Sequence, residues 1–97
     1  MSKFDFRVEH HRDGKWFLIV ANSGQSHDSV RDIHLKGSDG EAWKVNVPGL
    51  PYVLVGAERR WPIVPEGTLH DLPHTLSLTA QSDAGALVRQ IDVTEEP

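Results

Sequence analysis

The chain has 97 residues, a formal net charge of −4 at neutral pH and no cysteine. This length allows one domain with a single modest core, and an apolar content of 38% with 25% charged residues argues against intrinsic disorder. The acidic balance disfavours nucleic-acid binding. The absence of cysteine excludes disulfides, thiolate nucleophiles and cysteine-based zinc sites.

No apolar run in the sequence approaches the roughly 20 residues that a membrane helix needs, so we expect no direct membrane insertion. The residues after Met1 also lack the apolar stretch of a signal peptide and enter an alternating pattern at once. We therefore expect either a cytoplasmic protein or a piece of a longer exported chain. The abrupt strand pattern after Ser2 favours the second.

Alternation of apolar and polar residues dominates the first half of the chain. Phe4, Phe6 and Val8 share one face of a predicted strand, a period of two that is typical of half-buried strands. Asp13-Gly14 then gives a strong hairpin signal. The next segment is a continuous apolar run, which indicates a strand covered on both faces or lying at the centre of a sandwich. The strands predicted in this half cover residues 3–10, 16–21, 30–35 and 42–47.

The second half of the chain shows the same period. Gly56 separates two short predicted strands, and Leu76 and Leu78 share a face with Ala80 in the next. Strands spaced by roughly 8–12 residues, without a helix between them, indicate a β-sandwich or a small barrel. Since no helical crossover separates the strands, we expect antiparallel pairing. The strands predicted in this half cover residues 52–55, 60–64, 74–80 and 86–93.

The inward-facing positions of these strands define the predicted core, because alternate residues of a half-buried strand point toward the same side of the sheet. The set is apolar throughout and includes two of the three tryptophans. Its members are Phe4, Phe6, Trp16, Leu18, Val20, Ile33, Leu35, Trp43, Val45, Leu54, Leu76, Leu78, Ile91 and Val93.

Two pairs of histidines raise the question of a metal site, and neither pair supports one. His70 and His74 are four residues apart, but Pro73 lies between them and prevents the helix that would align their rings. His10 and His11 are adjacent and would point to opposite faces of a strand. With no third ligand in view, we expect neither a metal nor a cofactor.

Ser26, His27 and Asp28 are the residue types of a catalytic triad, but they are adjacent on a predicted turn. A triad needs the base within hydrogen-bond reach of the nucleophile and a separate oxyanion hole. No Gly-x-Ser-x-Gly elbow frames this serine. We interpret the segment as a polar turn to which Asn22 contributes turn chemistry, and we expect no enzymatic activity.

Arg59, Arg60 and Trp61 form the strongest candidate for a ligand site. A cation can stack over Trp61, and arginines bind carboxylates through paired hydrogen bonds. Neighbouring strand residues face opposite ways, however, so Arg59 and Arg60 would not grip one anion together, and Glu58 offsets one charge. A carbohydrate- or polyanion-binding β-sandwich that uses these residues with an exposed Trp61 stays open as an alternative. A structural or adhesive domain of a surface protein is a further alternative.

Two ordered segments carry a family resemblance: WFLIVANSGQSHDSVRDIHL, beginning at Trp16, and LPYVLVGAERRWPI, beginning at Leu50. In order and spacing they resemble the second, C-terminal domain of PapD-like periplasmic pilus-assembly chaperones. The similarity covers about residues 4–93 and departs from the family pattern at Pro51 and Val55, where a glycine and a proline would stand. The matching positions are Asn22, Gly24, His27, Leu35, Tyr52, Val53, Leu54, Gly56, Arg60, Trp61, Asp83 and Gly85.

The resemblance implies an all-β fold, an immunoglobulin-like antiparallel β-sandwich of seven to eight strands over residues 3–94, with the family's first domain absent from this chain. It also implies a periplasmic, non-enzymatic role within a longer exported chaperone that stabilises pilus subunits and delivers them to an outer-membrane usher. In that family the first domain donates the strand that completes the subunit, so we expect this domain alone not to capture subunits.

The resemblance assigns one candidate site residue, Asp83. This residue occupies the acidic position of the family's Asp-x-Gly turn, which ends here at Gly85. In the family that acidic residue belongs to a charged cluster at the interdomain cleft. The alternative is that Asp83 is only a turn former, as aspartate often is.

Overall fold

The computed structural model describes residues 3–47, 49–69 and 71–96. Within these ranges the chain is all-β, as predicted, and has no helix that could cross a membrane. All eight predicted strands appear there, and the short β3 is an addition that the alternating pattern does not indicate. The strands are β1 (Phe4–His11), β2 (Trp16–Asn22), β3 (Asp28–Ser29), β4 (Arg31–Gly37), β5 (Ala42–Val45), β6 (Tyr52–Val53), β7 (Glu58–Pro65), β8 (Thr75–Ser82) and β9 (Gly85–Glu96).

Seven of the strands form one closed barrel in the order β1-β2-β7-β5-β4-β8-β9, and β3 and β6 form a separate two-stranded sheet. Strands that follow one another in the chain pair as hairpins at β1–β2, β4–β5 and β8–β9. The pairs β2–β7 and β4–β8 instead join strands that are far apart in sequence. The barrel is thus built from local hairpins that long-range pairs connect.

The barrel closes where β1 and β9 pair in parallel, from Val8 opposite Val93 to His11 opposite Glu96. The prediction of purely antiparallel pairing is wrong at this seam, although every other pair among the described strands is antiparallel. The helical-crossover argument applies to two strands joined by one short connection. Here the whole intervening chain connects the first strand to the last, so no helix is needed.

The opposite side of the barrel depends on β5, which bridges two groups of strands. It pairs with β7 from Trp43 to Val45, but with β4 only through Leu35 opposite Trp43 and Lys36 opposite Ala42. Beyond those two pairs a groove of about 290 Å³ lies between the two strands. The main sheet is therefore a closed barrel with a weakly paired seam at β4–β5.

Of the predicted core residues, Leu54 is the one that does not lie in or against the core. Leu54 is 54% exposed, and its neighbour Val53 is fully buried instead. A shift of one residue along a strand exchanges its inner and outer faces, so the predicted inward position in β6 is wrong by one residue. Trp61 and Ile63 of β7, which the predicted core omits, also belong to the buried core.

The other predicted core residues lie in or against the core. Those that are buried are Phe4, Trp16, Leu18, Val20, Leu35, Trp43, Leu76, Leu78 and Ile91. Those that pack against the core while keeping some exposure are Phe6, Ile33, Val45 and Val93. The alternating pattern is therefore a sound guide to the interior wherever polar residues separate the apolar ones.

β2 is covered on both faces at its middle, as its continuous apolar run predicts. Leu18 and Val20 belong to the core, and Ile19, between them, is 1% exposed on the opposite face. In the strand register Ile19 lies between Arg7 of β1 and Arg60 of β7. Arginine stems cover apolar surface while their charged ends stay in water. The outer face of β1, β2 and β7 is therefore partly buried beneath charged side chains.

Candidate functional site

The two segments that carry the family resemblance meet at one end of the barrel. β3 in the first segment pairs with β6 in the second, with Asp28 opposite Val53. The β8–β9 turn joins them, because the Asp83 N–H donates to Asp28 Oδ1 at 2.8 Å. We call this region the Asn22 end. It comprises Asn22, residues 24–29, Arg31, residues 49–57, Arg59 and Asp83.

Asn22, the last residue of β2, connects most of these parts. Its side chain is 1% exposed, and Nδ2 donates to the carbonyls of Ser26 at 2.8 Å and Val53 at 3.0 Å. Oδ1 accepts the Gly24 N–H at 3.0 Å and, more weakly, the Lys3 N–H at 3.4 Å. One buried amide thus satisfies backbone groups in three separate segments. The sequence predicts a turn residue at this position but not its long-range contacts.

The turn after β6 is held by an imidazole and by the backbone of β2. The Val55 N–H donates to His27 Nδ1 at 2.8 Å, and the Gly56 N–H donates to the Asn22 carbonyl at 2.8 Å. Because His27 Nδ1 accepts a hydrogen bond, its ring carries the proton on Nε2. His27 therefore positions this turn, in keeping with the polar-turn interpretation of its segment.

Gly56 adopts a backbone conformation that other residues avoid, with φ of +77°. A Cβ atom built at Gly56 would meet nothing within 4 Å, so a side chain would cost backbone strain alone. We expect Gly56→Ala to lower the free energy of unfolding by about 1 kcal/mol, measured by urea denaturation. Gly56→Asn is the matched control and should lose less, because asparagine tolerates this conformation. Wild-type stability of Gly56→Ala would contradict the observed turn.

Asp83 lies in the β8–β9 turn and also carries an exposed ion pair. Its backbone N–H is tied to Asp28 within the β8–β9 turn, and its carboxylate lies 3.3 Å from the Arg31 guanidinium. Both charged side chains are largely exposed, so the pair contributes little stability by itself. The Asp83 backbone is fixed in the turn by its bond to Asp28, and the Asp83 carboxylate is exposed enough to contact another group.

Arg59 and Arg60 point to opposite sides of β7, as the alternation predicts. Arg59 Nη1 donates to the Tyr52 carbonyl at 2.9 Å, and its guanidinium carbon lies 5.8 Å from the Trp61 ring centroid. Arg60 Nη1 instead donates to Glu9 Oε1 at 2.9 Å on the outer face. Trp61 is fully buried. The idea of an exposed Trp61 as a ligand platform is therefore wrong, because its position in β7 faces the core.

Glu9 is a buried carboxylate at the centre of a charge cluster that the sequence prediction omits. Its carboxylate lies 2.9 Å from Arg60, 3.0 Å from His11 Nε2 and 3.3 Å from Arg7, and the residue is 5% exposed although it lies on the outer face of β1. The shared face of Arg7, Glu9 and His11 is readable from their spacing. The strand register by which Arg60 of β7 reaches Glu9 of β1 across β2 cannot be read from the sequence.

The cluster holds the Glu9 carboxyl in its ionised form. Burial alone would raise the pKa of Glu9, but the His11 hydrogen bond and the charges of Arg60 and Arg7 together hold it below its ordinary value. A carboxylate held ionised in this way is poorly suited to donate or accept a proton near neutral pH. The cluster is therefore better suited to fixing the outer face of the barrel than to acid–base chemistry.

The segment 49–57 also exposes apolar side chains. Leu50, Tyr52 and Leu54 are each at least half exposed and, at a spacing of two, share the solvent face of β6 and its flanks. Single exposed apolar side chains scattered over a surface are ordinary, whereas these three lie next to one another along one segment. We call these three side chains the apolar ridge.

The histidines do not assemble with other ligands in the part of the chain that the structure describes, where no group of three or more histidine or acidic side chains converges. His10 stacks on Trp16 with ring centroids 3.9 Å apart, and its Nδ1 lies 2.8 Å from Glu95. His74 is exposed, and His70 lies outside the described residues.

The geometry of the Asn22 end suits contact with another protein surface. It combines a fixed turn, an apolar ridge and an exposed ion pair between Arg31 and Asp83. No protein-family model matches the chain, and no curated protein matches it significantly.

Proposed function

We propose that the chain is an immunoglobulin-like interaction domain, equivalent to the second domain of a PapD-like periplasmic chaperone. The observation that carries this proposal is the strand order. The run β1-β2-β7-β5 followed by β4-β8-β9 corresponds to the ABED and CFG sheets of a constant-type immunoglobulin domain. On this interpretation, the short β4–β5 seam and the parallel β1–β9 seam join the two sheets of one sandwich.

The Asn22 end supports the chaperone assignment within that fold. β1 begins at this end, since the Ser23 N–H donates to the Lys3 carbonyl at 2.9 Å. A domain joined ahead of β1 would therefore lie against this end, beside the apolar ridge. In this proposal the ion pair between Asp83 and Arg31 faces the interdomain cleft, and Asp83 belongs to the charged cluster there.

The proposed role is that of a positioning domain in the periplasm. It acts through a longer, exported chaperone that stabilises pilus subunits and delivers them to the outer-membrane usher. The strand that captures the subunit belongs to the first domain, so this domain contributes orientation instead of capture. Such a role requires neither a cofactor nor catalysis.

A carbohydrate- or polyanion-binding module is the second candidate, and the described contacts count against it. That function requires an exposed Trp61 and two available arginines. Trp61 is fully buried, Arg59 is hydrogen-bonded to the Tyr52 carbonyl, and Arg60 is bonded to Glu9. We therefore do not propose a ligand-binding module of this kind.

The proposal is tested on the protein in its own cell. Antibodies against this 97-residue chain should recover a longer protein from a periplasmic extract. Mass spectrometry should find peptides that precede Lys3 and belong to a second β-rich domain, and pilus subunits should co-purify. The isolated chain, exported with an added leader, is the matched control and should retain no subunit. A cytoplasmic protein that ends at this chain's own length, or stable subunit binding by the isolated chain, would contradict the proposal.

A further inference from the structure

β6 has one paired edge and one edge that no described strand pairs with. On the paired edge, the Pro51 carbonyl accepts the Val30 N–H at 3.0 Å, and the Val53 carbonyl accepts from Asn22 Nδ2 at 3.0 Å. In an extended strand successive carbonyls point to opposite edges. The carbonyls of residues 50, 52 and 54 therefore point to the other edge, which we call the outer edge.

Intramolecular donors occupy the outer edge. Arg59 Nη1 donates to the Tyr52 carbonyl at 2.9 Å and, more weakly, to the Leu50 carbonyl at 3.4 Å. The Ala57 N–H donates to the Leu54 carbonyl at 2.9 Å. A guanidinium suits the Leu50 and Tyr52 carbonyls, because its donors lie in a fixed plane and can serve two acceptors. Arg59 thus occupies the place that the N–H groups of a neighbouring strand would take.

Removing the Arg59 donors would free the Leu50 and Tyr52 carbonyls for strand pairing, while the Leu54 carbonyl would keep its bond to the Ala57 N–H. An unpaired edge presents backbone acceptors to another chain, and natural proteins protect such edges with charged side chains. The apolar ridge lies along the same segment. A second copy related by a twofold axis would pair antiparallel about Tyr52, which places Leu50 opposite Leu54 of the second copy. Apolar cross-strand pairs of this kind stabilise a sheet.

We propose that the outer edge of residues 50–54 is a pairing surface for a second copy of this chain, and that Arg59 keeps it closed in the free domain. A strand that adds here must displace the guanidinium, which is held both by two carbonyls and near the face of Trp61. The outer edge is covered by one side chain, Arg59, from β7, the next strand along the chain. This protection does not depend on the chaperone assignment.

Arg59→Met tests the proposal, because methionine keeps an unbranched apolar stem and removes the donors. Sedimentation velocity of the 97-residue chain should show a monomer for the wild type and a monomer–dimer equilibrium for the variant. The dimer dissociation constant should fall by about tenfold or more. Adding Tyr52→Lys should restore the monomer, since two lysines would face each other. Adding Val88→Lys, at an exposed apolar position of β9, is the matched control and should leave the dimer intact.

Arg59→Lys provides a second measure, because a lysine ammonium is a compact, strongly hydrated charge without the planar guanidinium that lies near the Trp61 ring, so it should cover the outer edge less completely. The Arg59→Lys chain should dimerise more than the wild type and less than Arg59→Met. If circular dichroism shows that Arg59→Met does not fold, Arg59→Lys is combined with Tyr52→Lys and with Val88→Lys in its place. A folded Arg59→Met chain that stays monomeric over the same concentration range would overturn the proposal. Association that Val88→Lys abolishes and Tyr52→Lys leaves intact would also overturn it.

Discussion

Replacing Asn22 with alanine should lower the free energy of unfolding by about 3 kcal/mol. The variant leaves the buried Val53 carbonyl without its donor, and an unsatisfied buried polar group costs about 1–3 kcal/mol. The hydrogen bonds from Asn22 to the Ser26 carbonyl and from the Gly24 N–H to Asn22 are also lost, although both are only partly buried and water can replace the amide there. Urea denaturation followed by tryptophan fluorescence measures the change.

The effect of Asn22→Ala should be concentrated at one end of the molecule. Asn22 joins β2 to β6, so amide hydrogen exchange in residues 50–57 should accelerate more than exchange in the β8–β9 hairpin. Asn46→Ala is the matched control at an exposed asparagine and should change stability by less than about 0.5 kcal/mol. Similar losses for the two variants, or uniform acceleration of exchange, would contradict the role assigned to Asn22.

Most strands can be predicted from the sequence because a period of two is a local signal. Apolar and polar residues alternate in β1 and β8 whatever the rest of the chain does. The register of β6 is different, because residues 52–55 are apolar at every position. Alternation cannot decide whether Val53 or Leu54 faces inward there. The pairing with β3 and the bond from Asn22 decide it, and both depend on distant residues.

In the candidate site, too, the sequence predicts the directions of side chains but not their distant partners. The opposite directions of Arg59 and Arg60 follow from their adjacency in a strand and are predictable. Their partners are not, because Arg59 reaches Tyr52 in a neighbouring segment and Arg60 reaches Glu9 across β2. A carboxylate on the outer face of a strand is ordinarily exposed. The burial of Glu9 depends on the relative positions of three strands, which no local pattern specifies.

Glu9→Gln should lower the free energy of unfolding by about 1–2 kcal/mol near neutral pH and by much less in acid. Burial opposes ionisation of this carboxyl, but the His11 hydrogen bond and the Arg60 charge hold its pKa below the ordinary value of 4.5. A group whose folded pKa is lowered contributes stability above its unfolded pKa and loses it as pH falls through the folded pKa. The contribution is modest because the side chains of Arg7 and Arg60 are about half exposed.

Urea unfolding of the wild type and of Glu9→Gln, from about pH 3 to about pH 8, measures this difference. His11 and Glu58 are titratable and lie in the same cluster, so the two proteins are compared at each pH rather than across pH. Glu66→Gln, at an exposed position, controls for the loss of one negative charge. A stability difference that does not change with pH would contradict an ionised Glu9. A difference that widens toward acid would mean that folding raises the pKa of this carboxyl, because a neutral carboxyl would then be the form that the barrel stabilises.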